Sequence, residues 1–138
     1  MYLIRSESNF DSAHFLKGYI GKCSNLHGHH WRVVAELAAP ELSEEEQTMG
    51  MVLDFGDLKR LLKDMCDNLD HCLIYESGSL REKTIEALSE EDFRLVEVPF
   101  RPTAENFERY FYDEIRGAGY PVHRVEVYET PNNCAAYE

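Results

Sequence analysis

Two long segments of alternating side chains constrain this chain more than any other feature of its sequence. Apolar and polar residues alternate over residues 2–15 and again over residues 27–39, with a glycine-containing loop between them. Strand side chains project to the same face at every second position. His27 and His29 therefore point to one side of the second strand, and His14 ends the first strand on the parity of its apolar residues. The sequence thus predicts two neighbouring antiparallel strands with histidines at one end.

Helical periodicity appears in the second half of the chain. Over residues 57–69, leucine and methionine recur at the spacing of one helix face, and Asp54 stands where it would cap that helix. Thr103 can cap a second helix that would bury large apolar side chains. These are Phe107, Tyr110, Phe111 and Ile115. Residues 79–91 show a weaker helical pattern and indicate a surface insertion.

Two further strands, residues 93–98 and 122–130, complete the predicted elements. The order of elements is typical of an α+β fold, in which an antiparallel four-stranded sheet carries two helices on one face. A chain of 138 residues with 43% apolar and 29% charged residues can build one such domain, spanning residues 1–138.

Charge and cysteine content argue against several classes of function. The chain has 26 acidic against 14 basic residues, and this net charge of −12 opposes binding to nucleic acid or to an anionic membrane surface. It has no apolar run of about 18 residues that would span a membrane. It shows no secretory signal, so its four cysteines are expected to be free thiols in a reducing cytoplasm.

Three histidines carry the strongest chemical signal. His27 and His29 can reach one ion from adjacent positions on a strand face, and His14 is placed to be the third ligand. Three histidines with an open fourth position are typical of a catalytic zinc site, although imidazole also binds iron, copper or nickel. The alternative is that they are ordinary polar residues at a strand end. His30 and His123 are expected to be exposed.

Cys23, four residues before His27, has three candidate roles. It could be a zinc ligand, a small buried residue or a reactive thiol, because the neighbouring Lys22 favours a thiolate. The sequence by itself leaves these alternatives open.

Two acidic residues are further candidates for chemistry. Asp70 directly precedes His71, and a carboxylate can fix the tautomer of an imidazole and raise its basicity. Glu129 shares the parity of Val125 and Val127, so it is either buried beside them or solvated beyond the strand end. A buried Glu129 would need a partner, such as the paired N–H groups of a purine or pterin ring.

Taken together, these motifs resemble those of the 6-pyruvoyl-tetrahydropterin synthase superfamily. The matching blocks are Phe10-Asp11-Ser12-Ala13-His14, Cys23 followed by His27-Gly28-His29, Val52-Leu53-Asp54-Phe55, Leu69-Asp70-His71, Pro102-Thr103-Ala104-Glu105-Asn106 and Tyr128-Glu129-Thr130. The resemblance implies the tunnelling fold, in which strands from several subunits close into a barrel with the helices outside. It also implies a homohexamer, built as a dimer of trimers, with active sites between subunits.

The resemblance implies a zinc site and an acid–base system. His14, His27 and His29 would hold Zn²⁺, which would bind the hydroxyl groups of the substrate side chain. Cys23 would be the general base. Asp70 and His71 would form an acid–base relay.

The same resemblance implies how a substrate, 7,8-dihydroneopterin triphosphate, would be held. Glu129 would anchor the pterin ring, and Thr103 and Glu105 would line the same pocket. In addition, we expect Lys17 and Lys22, in the loop near Cys23, to contact the triphosphate.

Two branches of the superfamily compete. The three-residue spacing between Cys23 and His27 resembles 6-carboxytetrahydropterin synthase of queuosine and deazapurine biosynthesis, which releases acetaldehyde and triphosphate. The segment after Tyr128 instead resembles 6-pyruvoyl-tetrahydropterin synthase, which eliminates triphosphate and keeps the carbon chain. We favour the first branch. A variant with glutamate in place of the cysteine is disfavoured by Cys23 itself.

Two other function classes fit the sequence less well. Cupin-like dioxygenases also use two histidines at this spacing, but they are nearly all strand, and the two helical patterns count against them. A pterin-binding oligomer without catalysis would not need Cys23, Asp70 and His71 together, and all three are present.

Overall fold

A long antiparallel hairpin forms the centre of the fold. The computed structural model describes all 138 residues of the chain. Strand β1 (Tyr2–His14) pairs with strand β2 (His27–Ala39) along its whole length. The register sets His14 opposite His27 and Phe10 opposite Trp31, so these side chains share one face. Phe10 and Trp31 are buried there, which confirms the predicted alternation.

Four further strands extend this hairpin into a six-stranded sheet. They are β3 (Cys72–Glu76), β4 (Leu95–Val98), β5 (Val122–Thr130) and β6 (Asn133–Tyr137), and the sheet order is β4-β3-β1-β2-β5-β6. β5 and β6 continue the antiparallel pairing, whereas β3 runs parallel to β1 and β4 runs parallel to β3. The α+β class is confirmed, but the predicted four-stranded antiparallel sheet is corrected to a six-stranded mixed one.

The two strands missing from the prediction carry little sequence pattern. Each is five residues long. β3 begins directly after His71, and a helix carries the chain across to it from β2, as parallel pairing requires. β6 follows β5 after only Pro131 and Asn132. Its Ala135 and Ala136 give no contrast between apolar and polar faces.

Two helices supply the core on the buried face of the sheet. Helices α1 (Phe55–Asp67) and α3 (Ala104–Gly117) bury apolar side chains in one cluster with those of β1, β2 and β5. α1 starts two residues before the periodic segment because the carboxylate of Asp54 accepts a hydrogen bond from the Gly56 N–H (2.7 Å) and caps the helix.

A third helix, α2 (Glu82–Glu90), lies in the segment expected to be a surface insertion. None of its residues is fully buried, in agreement with that prediction. Its Leu88 helps to line an apolar cavity with Ala13 and Leu73, side chains that β1 and β3 turn away from the core. The prediction of two helices on one face therefore holds for α1 and α3 but omits α2.

Two smaller predictions are also confirmed. All four cysteines are free thiols. The side chains of His30 and His123 are exposed, as expected. None of the three helices combines the length and apolar composition that a membrane crossing requires.

Glu108 is an acidic side chain that α3 buries. Its Oε2 atom has no hydrogen-bond partner, and burial raises the pKa of its carboxyl group to about 7, with a further increase from nearby Glu105. The folded protein therefore holds a proton that the unfolded chain releases at lower pH. The contribution of Glu108 to stability should therefore fall as pH rises from the ordinary range of a glutamate towards 7, and stay low above that.

Replacing Glu108 with glutamine should remove this penalty, because the amide stays neutral. We expect the thermal midpoint of Glu108→Gln to exceed that of the wild type at about pH 8 and to match it at about pH 4. Glu114→Gln, at an exposed position of the same helix, is the control and should show no such pH-dependent gain. Equal midpoints for wild type and Glu108→Gln at the higher pH would contradict the assignment.

Candidate functional site

Three histidine rings converge at the loop end of the β1–β2 hairpin. His14 and His27 lie directly opposite each other, and His29 follows two residues later on the same face of β2. The ring centroids are 4.6 to 5.1 Å apart. Together with Glu129, the side chains offer ligand atoms that all lie within 4.8 Å of one another. The structure thus brings the three predicted metal ligands together.

Backbone carbonyl groups fix the orientation of two of these rings. His14 Nδ1 donates to the carbonyl oxygen of Pro102 and His27 Nδ1 donates to that of Asn25, each at 2.7 Å. Each neutral ring then carries its lone pair on Nε2, and these two Nε2 atoms face each other at 3.1 Å. Two lone pairs at this distance repel unless a cation or a proton lies between them. The arrangement therefore suits a metal ion, with the carbonyl groups as outer partners of its ligands.

Burial favours the neutral form that binds metal in two of the rings, those of His14 and His29. It lowers the pKa of His14 to about 4, against the opposing effect of the Pro102 hydrogen bond. Burial also lowers the pKa of His29, although Glu129 acts in the opposite direction. His29 Nε2 lies 2.8 Å from Glu129 Oε1, close enough for an ion pair when the ring is protonated. Neutral imidazoles with unpaired nitrogens are what a metal ligand set requires, so this group could hold a metal ion.

Trp31 and Gly28 shape the immediate surroundings of the three rings. Trp31 is fully buried and meets the rings of His14 and His29 edge-on, with centroids 5.1 and 5.4 Å away. A Cβ atom at Gly28 would lie 3.3 Å from the carbonyl oxygen of Ser12 on β1. Glycine at this position therefore lets the two strands approach closely where the histidines must meet.

Asp70 and His71 form a hydrogen-bonded pair in the turn between α1 and β3. His71 Nδ1 donates to Asp70 Oδ2 (2.7 Å), and the backbone N–H of Asp11 donates to Asp70 Oδ1 (2.8 Å). The Asp11 hydrogen bond is the largest cause that lowers the pKa of Asp70, and Asp70 in turn raises the pKa of His71. The pair can therefore hold and release a proton at an exposed imidazole.

This dyad and the histidine triad lie on opposite faces of the sheet. His71 lines the apolar cavity of about 340 Å³ that includes Ala13. The side chains of Ala13 and His14 project to opposite faces because they are consecutive residues of β1. Within one chain, the dyad therefore does not reach the three histidines.

Cys23 lies in a short 3-10 helix (Lys22–Ser24) within the loop that joins β1 to β2. Its carbonyl oxygen accepts a hydrogen bond from the Leu16 N–H (2.9 Å), which closes the loop. Its half-buried thiol is not among the ligand atoms grouped around the three histidines. The geometry thus favours a free thiol over a fourth metal ligand.

Glu129 lies beside a cavity, whereas Thr103 and Glu105, which were predicted to share its pocket, lie at the start of α3. Glu129 lines an open cavity of about 460 Å³ beside His29, of the size usual for small-molecule sites. Thr103 uses its Oγ1 atom to accept a hydrogen bond from the Asn106 N–H (3.3 Å), so it caps α3. Glu105 is exposed in the first turn of that helix. Neither Thr103 nor Glu105 makes a hydrogen bond with Glu129.

Arg101 is a cationic residue beside Lys17 that the sequence did not predict to be part of the site. Lys17 and Lys22 are both exposed. Arg101 donates from Nη2 to the carbonyl oxygen of Lys17 (3.1 Å), while its buried Nε atom has no partner. The signal available in the sequence was its position directly before the matching block Pro102-Thr103-Ala104-Glu105-Asn106. Arg101, from the segment between β4 and α3, therefore adds a third cationic side chain beside the loop that carries Lys17 and Lys22.

Comparison with known proteins agrees with this geometry. Residues 3–138 match the model of the family described as 6-pyruvoyl tetrahydropterin synthase. The 6-carboxy-5,6,7,8-tetrahydropterin synthase of Haemophilus influenzae is 34% identical over 100% of this chain and 99% of its own length. The protein of the same name from Synechocystis is 32% identical over 99% of this chain and 93% of its own length.

Solved structures show the same fold. An uncharacterized protein from Wolinella succinogenes superposes with a TM-score of 0.78 at 24% identity, covering 99% of this chain and 97% of that one. A catalytic-residue mutant of Plasmodium vivax 6-pyruvoyltetrahydropterin synthase superposes with a TM-score of 0.71 at 20% identity, covering 99% and 96%. With its histidine triad, its topology and its sequence all in agreement, the chain belongs to the 6-pyruvoyl tetrahydropterin synthase family.

Proposed function

We propose that this protein is a zinc-dependent lyase. It would convert 7,8-dihydroneopterin triphosphate and water to 6-carboxy-5,6,7,8-tetrahydropterin, acetaldehyde and triphosphate. The observation that carries the proposal is the set of three converging imidazole rings, in which the Nε2 atoms of His14 and His27 face each other. His14, His27 and His29 would hold Zn²⁺, because three histidines with an open position are typical of catalytic zinc. Bound there, the ion would act as a Lewis acid towards the side-chain oxygens of the substrate.

The choice of reaction rests on the relatives. Those with about a third of their residues identical over nearly the whole chain are named 6-carboxy-5,6,7,8-tetrahydropterin synthase. The alternative is elimination of triphosphate from the same substrate to give 6-pyruvoyl-tetrahydropterin, which the family name and the Glu129-Thr130 segment support. Queuosine biosynthesis in the cytoplasm is the setting that the first reaction implies.

Glu129 is the proposed anchor for the pterin ring. Its carboxylate is partly buried and lines the cavity beside His29. Two carboxylate oxygens can accept the pair of N–H groups on a pterin edge, and such charge-assisted hydrogen bonds orient a planar ring. Thr103 and Glu105 remain proposed neighbours of the substrate, although the hydroxyl group of Thr103 already caps α3.

Cys23 is the proposed general base for a proton of the substrate side chain. Its thiol lies four residues before His27, in the loop that joins β1 to β2 at this end of the hairpin. Because it is outside the metal-ligand group, it is available to accept a proton rather than to bind the ion.

The Asp70–His71 dyad would complete the site of a neighbouring subunit. Each chain turns its dyad and its histidine triad to opposite faces of one sheet, so a single chain cannot place both on one substrate. A homohexamer arranged as a dimer of trimers, with strands of adjacent chains closing into a barrel, would bring the dyad of one chain to the triad of the next. It would also pair the open edges of β4 and β6.

Lys17 and Lys22 are the proposed contacts of the triphosphate. Reversing both charges (Lys17→Glu with Lys22→Glu) should raise KM about tenfold with a smaller effect on kcat, because charge-assisted hydrogen bonds to the substrate would be lost. The control reverses two exposed lysines on α1 and α2, Lys59→Glu with Lys83→Glu. An unchanged KM in the loop variant would contradict this role.

Incubation with 7,8-dihydroneopterin triphosphate and mass spectrometry of the products tests the reaction. Acetaldehyde together with carboxytetrahydropterin supports the proposal, whereas a pyruvoyl product supports the alternative. No turnover in zinc-replete protein would contradict both and leave a catalytically inactive pterin-binding oligomer.

A further inference from the structure

Arg94 closes the turn that carries Asp70 and His71. It lies directly before β4, where the chain returns from α2. Its guanidinium group donates to three carbonyl oxygens, those of Asp67 (3.2 Å), Asn68 (2.7 Å) and Asp70 (2.5 Å). These acceptors belong to the end of α1 and the turn after it, where carbonyl groups lack helical partners and the helix dipole attracts a cation.

The turn needs such support because His71 adopts a left-handed backbone conformation, with φ of 50°. On one side, strand β1 holds it. The His71 N–H donates to the carbonyl oxygen of Asp11 (2.6 Å), and the Asp11 N–H donates to Asp70 Oδ1 (2.8 Å). On the other side, Arg94 holds it through its guanidinium group, and the Arg94 carbonyl oxygen accepts from the Leu73 N–H (3.0 Å).

We propose that Arg94 is a positioning residue for the Asp70–His71 dyad. Its three hydrogen bonds hold the turn in the conformation in which the carboxylate and the imidazole meet. This role rests on the proposed function, since the dyad is the acid–base pair of that reaction. The same role would account for the surface insertion that contains α2. The chain leaves the sheet after β3, forms α2 and returns with Arg94 beside the dyad.

Three variants separate positioning from general stabilisation. Arg94→Gln removes the planar fork and its charge, while Arg94→Lys keeps the charge and can replace only part of the hydrogen bonding. Arg81→Gln removes the same charge from an exposed residue of the same segment, whose side chain makes no hydrogen bond, and is the matched control.

Steady-state kinetics of the zinc-loaded oligomer give the first measurement. In Arg94→Gln, kcat should fall by about 10- to 100-fold with KM nearly unchanged, because a misplaced acid–base group slows chemistry without weakening binding. Arg94→Lys should recover part of kcat, and Arg81→Gln should match the wild type. A wild-type kcat in Arg94→Gln would overturn the proposal. So would a raised KM at constant kcat, since that would indicate a direct substrate contact.

The pKa of His71, followed by NMR of ¹³C-labelled histidine, gives a second measurement that needs no turnover. A His71→Gln sample assigns the signal. The titratable or charged groups around His71 are Asp70, Asp11, Cys72 and Arg94.

Loss of the Arg94 charge alone would raise the pKa of His71, because a nearby cation disfavours imidazolium. Loosened contact with Asp70 would lower it. We therefore expect a lowered His71 pKa in Arg94→Gln and a smaller decrease in Arg94→Lys. If the glutamine variant does not fold, the titration of Arg94→Lys takes its place. An unchanged or raised pKa would overturn the proposal. If the wild type fails to turn over pterin substrates, this titration still decides the role of Arg94.

Discussion

Replacing Cys23 with alanine is expected to lower kcat by about 10²- to 10⁴-fold, the range that a lost general base typically costs. Bound zinc should be unchanged, because the thiol lies outside the group of ligand atoms formed by the three histidines and Glu129. The loop should keep its shape, since it is closed by the Cys23 carbonyl group and not by the side chain. Turnover and zinc content, measured on the same preparation, check both statements.

Cys134→Ala is the matched control for this experiment. It removes an exposed thiol from β6, away from the β1–β2 loop, and should leave turnover at the wild-type level. Loss of zinc from Cys23→Ala would make the thiol a metal ligand. Full activity in that variant would remove Cys23 from the mechanism altogether.

The second large effect is expected at His29. In His29→Ala, the zinc content should fall from about one ion per chain to a small fraction, because only two imidazoles remain at the site. Turnover should fall with it. Treating the wild type with a chelator should reproduce the loss, and added Zn²⁺ should restore activity to the wild type but not to the variant.

His123→Ala serves as the control, because this histidine is exposed and outside the triad. It should keep both metal and turnover. If His29→Ala retained a full complement of zinc, the ion would be bound elsewhere, and the opposed Nε2 atoms of His14 and His27 would need another explanation.

The parts of this structure that the sequence predicts are those governed by simple periodicity. Alternation in two strands close together in the chain was enough to place His14 near His27 and His29, because a hairpin register turns spacing into contact. The helix caps at Asp54 and Thr103 were likewise readable, since each depends on one side chain and a backbone group two or three residues ahead.

The parts that could not be predicted depend on long-range backbone contacts. The Pro102 carbonyl group orients His14 from 88 residues away, and Arg94 reaches carbonyl groups more than 20 residues earlier. A carbonyl group is present at every residue, so nothing in the sequence marks the one that will be used. The short strands β3 and β6 could not be predicted for a related reason. Backbone pairing with neighbouring strands defines them more than their own side chains do.

The position of Trp31 has an optical consequence. It is the only tryptophan of the chain, and it lies fully buried beneath the rings of His14 and His29. Indole fluorescence responds to charge and to quenching groups in contact with the ring. The emission of this protein therefore arises from a single chromophore at the floor of the histidine cluster. The fluorescence of Trp31 can therefore report the binding of an ion or a ligand to these histidines in real time, without a dye, a label or an engineered probe.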